Sequence, residues 1–267
     1  MTVSYCETGE IRIYALFCGG DKMDMAVFDP FDPNVGTKMF NPYFAYLITH
    51  PRGNVLFDTA GHPDLRTNPR SRLGNGADAF DVVMQPEDWV VPRLAELELR
   101  PEDIPVVVQS HLHFDHAGAL EWFKHAEIFL QKPELEFARN PAIYQRAAYV
   151  RADFEHDLNW HLIEGEYDLF GDGTLLLVPT PGHTPGHQSL LVRSGPGRSF
   201  FLLADATYLV AKMRQRALPG LLWNPDAMVE SWLRIEEIER DEGAALIATH
   251  ELDFESGVPK SPSSWYS

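Results

Sequence analysis

Cysteine, basic charge and long apolar runs are all scarce in this sequence. Only Cys6 and Cys18 occur, both within the first twenty residues, which leaves no repeated Cys-x-x-Cys metal pattern and at most one disulfide. Such sparing use suits a reducing compartment. Lysine and arginine total 22 against 39 aspartates and glutamates, for a net charge of -17. That field repels polyanions, so nucleic acid and acidic membrane surfaces are disfavoured partners. No apolar stretch reaches the roughly 18 residues of a membrane span, and the opening MTVSYCETGEIRIY lacks the basic segment and apolar run of a secretory leader. A soluble cytoplasmic protein is expected, with no membrane or nucleic-acid partner. Low-complexity tracts, long like-charge runs and Gly/Ser linkers are also missing, so the 267 residues, 45% of them hydrophobic, are expected to form a single domain over 1–267.

What the chain does contain is a series of short apolar runs of strand length: IRIYALF (11–17), YFAYLIT (43–49), NVLFD (54–58), VVVQS (106–110), EIFLQ (127–131), TLLLVPT (174–180), QSLLVR (188–193), SFFLLAD (199–205) and AALIATH (244–250). Helical patterns fall between them at 88–99, 117–123, 133–139 and 226–241, the last placing Met228, Trp232, Ile235 and Ile238 on one face. Near-continuous apolar strands imply sheets covered on both faces, hence an α/β protein with two packed sheets and helices outside. Residues 20–42, 61–87 and 140–165 read as long loops around a site.

The strongest chemical signal is SHLHFDHAG (110–118), where His111, His113, Asp115 and His116 crowd into six residues after the run IPVVVQ. Extended backbone would put 111, 113 and 115 on one side and His116 on the other, whereas a turn near Gly118 lets the four fan into two groups. Imidazole nitrogen and carboxylate oxygen together suit zinc and similar divalent cations. Three more candidates close or follow other apolar runs: His183 in VPTPGHTPGH, Asp205 at the end of SFFLLAD, and His250 at the end of AALIATH. Seven ligands exceed the needs of one tetrahedral ion, but two ions sharing a carboxylate would use them all.

HLHFDHAG, then PGH, then an aspartate ending an apolar strand, then a late histidine, resembles the metallo-β-lactamase superfamily over nearly the whole chain. SHLHFDHAG, TPGHTPGHQSLLV, LLADATY and ALIATHELD are most similar to quorum-quenching N-acyl homoserine lactonases and related γ-lactone hydrolases, with looser support from YVRADFE (149–155) and FGDGTL (170–175). The resemblance implies an αββα sandwich of the metallo-β-lactamase type, two mixed sheets packed face to face with helices outside. It assigns His111, His113 and His183 to one metal and Asp115, His116 and His250 to the other, with Asp205 bridging. It implies two divalent metal ions, zinc first, with manganese, cobalt or iron able to use the same ligands. Tyr208 in DATY matches the tyrosine that reaches the substrate in these lactonases, and Asp115 is expected to accept or relay a proton besides ligating. The implied substrate is a small-molecule lactone, and the implied assembly a homodimer.

The implied reaction is hydrolysis of the ring ester of N-acyl homoserine lactones. An acyl chain needs an apolar wall, for which Met23, Met25, Phe28, Phe31, Met39, Phe40 and Tyr43 are candidates. His187 is expected to support the ligands rather than join them, and His50, His62, His125, His156 and His161 lack partners at ligand spacing. Hydrolysis of another small lactone, of the γ-butyrolactone or pyridoxolactone type, and glyoxalase II-like thioester hydrolysis are the alternatives. A class B β-lactamase would need a cysteine ligand, yet Cys6 and Cys18 precede every ligand-bearing strand. An RNA-processing nuclease would need a basic surface, and a non-catalytic scaffold would be expected to lack some of the seven ligands.

Overall fold

The computed structural model describes residues 10–251 and Tyr266. Cys6 and the last two residues of ALIATHELD lie outside them. Strands β1 (Arg12–Asp24), β2 (Lys38–Thr49), β3 (Val55–Phe57), β4 (Val106–Val108), β5 (Glu127–Gln131) and β6 (Asn159–Ile163) form one sheet in that spatial order. The first three pair antiparallel and the rest parallel. The second sheet is built from β7 (Tyr167–Asp168), β8 (Leu175–Pro179), β9 (Gln188–Gly195), β10 (Arg198–Ala204) and β11 (Ala245–Ala248), ordered β11-β10-β9-β8-β7, with only the β10–β11 pair parallel. Eight α-helices accompany the strands among the described residues: α1 (Met25–Phe28), α2 (Pro69–Leu73), α3 (Val90–Glu96), α4 (Phe114–Ala117), α5 (Lys132–Arg139), α6 (Arg151–Phe154), α7 (Val210–Arg214) and α8 (Pro225–Glu242).

Alternation along the strands divides the core. Ile13, Ala15, Phe44, Tyr46, Phe57 and Val108 of the first sheet meet Leu175, Leu177, Leu190, Val192 and Leu202 of the second. Opposite faces of the same strands, such as Leu16, Leu47 and Val107, pack under α3 and α5 with Val90, Leu94 and Leu135. On the far side, Met228, Trp232, Ile235 and Ile238 of α8 cover Leu191, Phe201 and Leu203. Each Val, Leu, Ile, Phe or Met among them contributes about 1.5–3 kcal/mol when fully buried. The two mixed sheets with helices outside are the αββα sandwich expected from the sequence.

α8 is fixed at both ends, its first N–H groups bonding the Asn224 side chain with Pro225 at the first position, and Gly243 closing it in the left-handed region at φ 62°. No helix among the described residues is long and apolar enough to cross a membrane.

All three of the expected loops carry regular structure. β1 runs on to Asp24 and β2 begins at Lys38, so that Asp21 pairs with Asn41 and Met23 with Met39 beyond a register shift between Phe17 and Gly20. The segment 140–165 contains α6 and the edge strand β6. Residues 61–87 fold into short helical turns, and Val83 exchanges both backbone hydrogen bonds with Gly20, at 2.7 and 3.0 Å, which ties this segment to β1. Arg72 of α2 also pairs with buried Asp153 of α6.

Candidate metal centre

Every ligand candidate sits just beyond the C-terminal end of a strand. After β4 the chain reaches Ser110 and His111, then turns into α4 at His113, so the extended arrangement gives way to a fan. His183 lies in the loop between β8 and β9, Asp205 follows β10, and His250 follows β11. Gly182 permits the close packing of this loop on α8, because a Cβ there would lie 2.4 Å from the Cα of Met228.

The seven side chains converge. The ligand atoms of His111, His113 and His183 lie within 4.8 Å of one another, as do those of Asp115, His116 and His250. Asp205 stands between the two trios. Its Oδ2 is 3.3 Å from His183 Nε2 and 3.9 Å from His111 Nε2, while its Oδ1 is 3.1 Å from His116 Nε2 and 2.9 Å from His250 Nε2. Asp115 Oδ2 lies 3.8 Å from His116 Nε2 and 4.0 Å from His250 Nε2.

These atoms fit a pair of cations better than they fit each other. Nε2 of His111, His116 and His250 and Oδ1 of Asp205 are buried with no hydrogen-bond partner, an expensive arrangement unless something positive occupies the space between them. His113 Nδ1 and His183 Nε2 face one another at 2.9 Å. The outer nitrogens explain which lone pairs point inward. His183 Nδ1 donates to the Leu221 carbonyl at 3.2 Å and His250 Nδ1 to the Pro42 carbonyl at 2.9 Å, so that in the neutral ring Nε2 is the nitrogen with the free lone pair. His116 Nδ1 bonds Asp58 at 2.8 Å, and His111 Nδ1 bonds Ser110 Oγ at 3.0 Å.

Electrostatics separate the trios. Burial, reinforced by neighbouring imidazoles, holds His111 and His113 well below the usual histidine range, and burial lowers His183 to about 4. Burial also disfavours charge on His116 and His250, but Asp205 and Asp115 outweigh it and raise both. The Asp205 carboxyl is opposed by burial yet pulled well below the carboxylate range by His250, His116 and His183. Asp115 is raised, chiefly by burial.

Tyr208 packs edge-on against Phe28, with ring centroids 5.4 Å apart, and its hydroxyl is 3.5 Å from His183 Nδ1. Its ring centroid lies 5.3 Å from that of His250. Burial and the nearby Asp205, Asp115 and Asp21 raise its phenol well above the ordinary value, so it remains a donor. Met23, Met25 and Phe28 cluster with Tyr208, joined by Val27, Met39 and Phe80. Of the other expected wall residues, Phe31 is 94% exposed in the turn before β2 and Phe40, on the outer arm of β2, is 39% exposed, while Tyr43 donates to Asp21 at 2.7 Å.

His187 supports the site without facing it. Its Nδ1 bonds Thr180 at 2.9 Å and its Nε2 accepts the backbone N–H of Asp205 at 3.1 Å. The remaining histidines have other surroundings: His62 bonds Glu121, His50 bonds Thr174, His125 meets the Ile104 carbonyl and His161 stacks on Phe129.

Sequence reasoning passed over two carboxylates. Asp58, in the left-handed region at φ 61°, accepts from the Ser110 backbone at 2.7 Å, Ser110 Oγ at 2.8 Å and Gln109 Nε2 at 3.0 Å besides holding His116. Its signal was available, because it ends the run NVLFD as Asp205 ends SFFLLAD. Glu134 accepts four hydrogen bonds behind the other trio and has no comparable signal.

A profile of the metallo-beta-lactamase superfamily matches residues 40–250. The chain is 34% identical over 258 residues to the N-acyl homoserine lactonase AttM of Azorhizobium caulinodans, covering 95% of this chain and 98% of that one. It is 32% identical over 222 residues to an N-acyl homoserine lactonase of Bacillus thuringiensis, covering 82% and 85%. A solved N-acyl homoserine lactone hydrolase with the product N-hexanoyl-L-homoserine at its catalytic metal centre superposes with a TM-score of 0.85 at 26% identity, over 96% of this chain and all of that one.

Proposed function

The chain belongs to the metallo-beta-lactamase superfamily, and from that premise we propose that it is a dinuclear metal-dependent lactonase that opens the ring ester of N-acyl homoserine lactones. The observation that carries this reading is the Asp205 carboxylate, which turns one oxygen to each trio. The choice of substrate is supported by the named activity of the relatives and by Tyr208 beside both trios.

In this reading His111, His113 and His183 would hold one cation, Asp115, His116 and His250 the other, and Asp205 would serve both. Bound there, two divalent ions, zinc first and manganese, cobalt or iron as alternatives, would activate water and polarise the ester carbonyl. Tyr208 keeps its proton and donates to the carbonyl oxygen as negative charge develops on it. Asp115, at 8% the most exposed of the seven, takes a proton from the attacking water and delivers it to the ring oxygen as the C–O bond breaks. The products are one carboxylate and one hydroxyl on the same N-acyl homoserine. Met23, Met25, Phe28 and Met39 give the acyl chain an adaptable apolar wall beside Tyr208. The cytoplasmic location and the homodimer belong to the same proposal, and cell fractionation and sedimentation test them.

The test is turnover by metal-loaded protein of acyl homoserine lactones of several chain lengths, γ-butyrolactone and S-lactoylglutathione. The expected order puts acyl homoserine lactones first. Thioester turnover far above lactone turnover would overturn the reading.

A further inference from the structure

Glu134, in the first turn of α5, is completely buried and uses both carboxylate oxygens. Oε1 accepts the Leu112 backbone N–H at 3.0 Å and the Tyr149 hydroxyl at 2.9 Å. Oε2 accepts the Thr184 hydroxyl at 2.6 Å and the Gly186 backbone N–H at 3.2 Å. Leu112 separates His111 from His113, and Thr184 adjoins His183. One rigid group, about as wide as a carboxylate, therefore joins the two loops that supply the three-histidine trio. Tyr149 adds a second restraint, since its ring meets that of His113 edge-on at 4.6 Å. The approach is close enough that a Cβ on Gly186 would lie 2.2 Å from the Glu134 nitrogen. None of these four bonds reaches Asp115, His116 or His250; His116 is held by Asp58 and His250 by the Pro42 carbonyl instead.

We propose that Glu134 is a positioning residue that sets the spacing of His111, His113 and His183, and so governs metal affinity in that half of the centre alone. The inference rests on the dinuclear reading given above. All four partners are donors, so the site calls for an acceptor on both oxygens. Glutamine has the same shape but turns an NH2 group toward two of those donors, which makes Glu134→Gln a test of bonding rather than volume.

The measurement is cadmium NMR of the substituted protein, which separates an environment of three histidines from one of two histidines and the additional carboxylate of Asp115, combined with chelator competition and the melting temperature of the metal-free chain. Loss of a residue that orients a ligand weakens metal binding by about 10- to 100-fold. That loss is expected at the three-histidine resonance in Glu134→Gln, with smaller losses in Tyr149→Phe and Thr184→Val, and with the other resonance changed by less than about threefold. Equal weakening of both resonances, or weakening accounted for by a fall in melting temperature of the metal-free chain, would overturn the inference. If Glu134→Gln fails to fold, the two milder variants decide: selective loss supports the clamp, and no loss or equal loss refutes it. Wild-type protein that takes up fewer than two ions would instead count against the dinuclear reading itself.

Discussion

The two halves of the candidate centre share Asp205 but are built on different electrostatic plans. His111, His113 and His183 form a dry cage of imidazoles, none more than 2% exposed, in which burial favours neutral rings. His116 and His250 lie among Asp115, Asp205 and, for His116, Asp58, so their rings are drawn toward the charged form. A cation entering the first half meets neutral donors already in place. A cation entering the second must displace protons held by carboxylates, in a half where Asp115 keeps a small opening toward solvent.

Removing the shared group breaks the comparison most severely. Asp205→Ala should lower lactone kcat/KM by about 1,000-fold or more, because a metal contributes several kcal/mol and each 1.36 kcal/mol is tenfold; steady-state kinetics with metal analysis checks it. Asp58→Asn acts chiefly on one half, by disturbing the bond that orients His116 directly, and reaches His111 only through Ser110. Metal affinity in the His116 half should fall about 10- to 100-fold, and competition with a chelator should show a biphasic curve in which one step moves much further than the other. Tyr208→Phe keeps all seven ligand candidates and removes the hydroxyl beside them. It should reduce kcat about tenfold or somewhat more, the worth of a hydrogen bond to developing charge, with metal content unchanged; comparing KM with kcat separates this from lost binding.

Acid titration of the metal-free protein sharpens the contrast further. His183 falls from 6.5 to about 4, so the folded chain binds fewer protons there than the unfolded chain between those values. Its contribution to stability is therefore complete above about pH 6.5 and lost as pH falls through that window. His116 and His250 are raised, so theirs is present below 6.5 and lost as pH rises through the folded values. Nitrogen NMR of the rings near pH 5.5 should find His183 neutral and His116 and His250 charged. Uniform protonation across the three would remove the distinction.

The sequence shows the ligand candidates of both halves more readily than the groups that hold them in place. Histidine and aspartate at strand ends are rare enough to stand out, and all seven candidates converge. The sheets were legible wherever strands are buried on both faces, as in VVV of β4. β6 was not, because Asn159, His161 and Leu162 are exposed at a sheet edge and break the apolar run. The arms of β1 and β2 past Gly19 and Gly20 read as loop because their order comes from pairing across the chain. Glu134 was invisible for the same reason: Leu112, Thr184 and Gly186 are 22, 50 and 52 residues away, and in isolation PELEFAR presents it as one more polar helix position.

Lactone ring opening followed as zinc is added in steps to metal-free protein tests the joint action of the two halves most directly. Little activity should accompany the first equivalent, which fills the neutral three-histidine cage, and the rate should rise with the second. Full activity at one bound ion per chain, unchanged by a second, would contradict a centre that needs both halves.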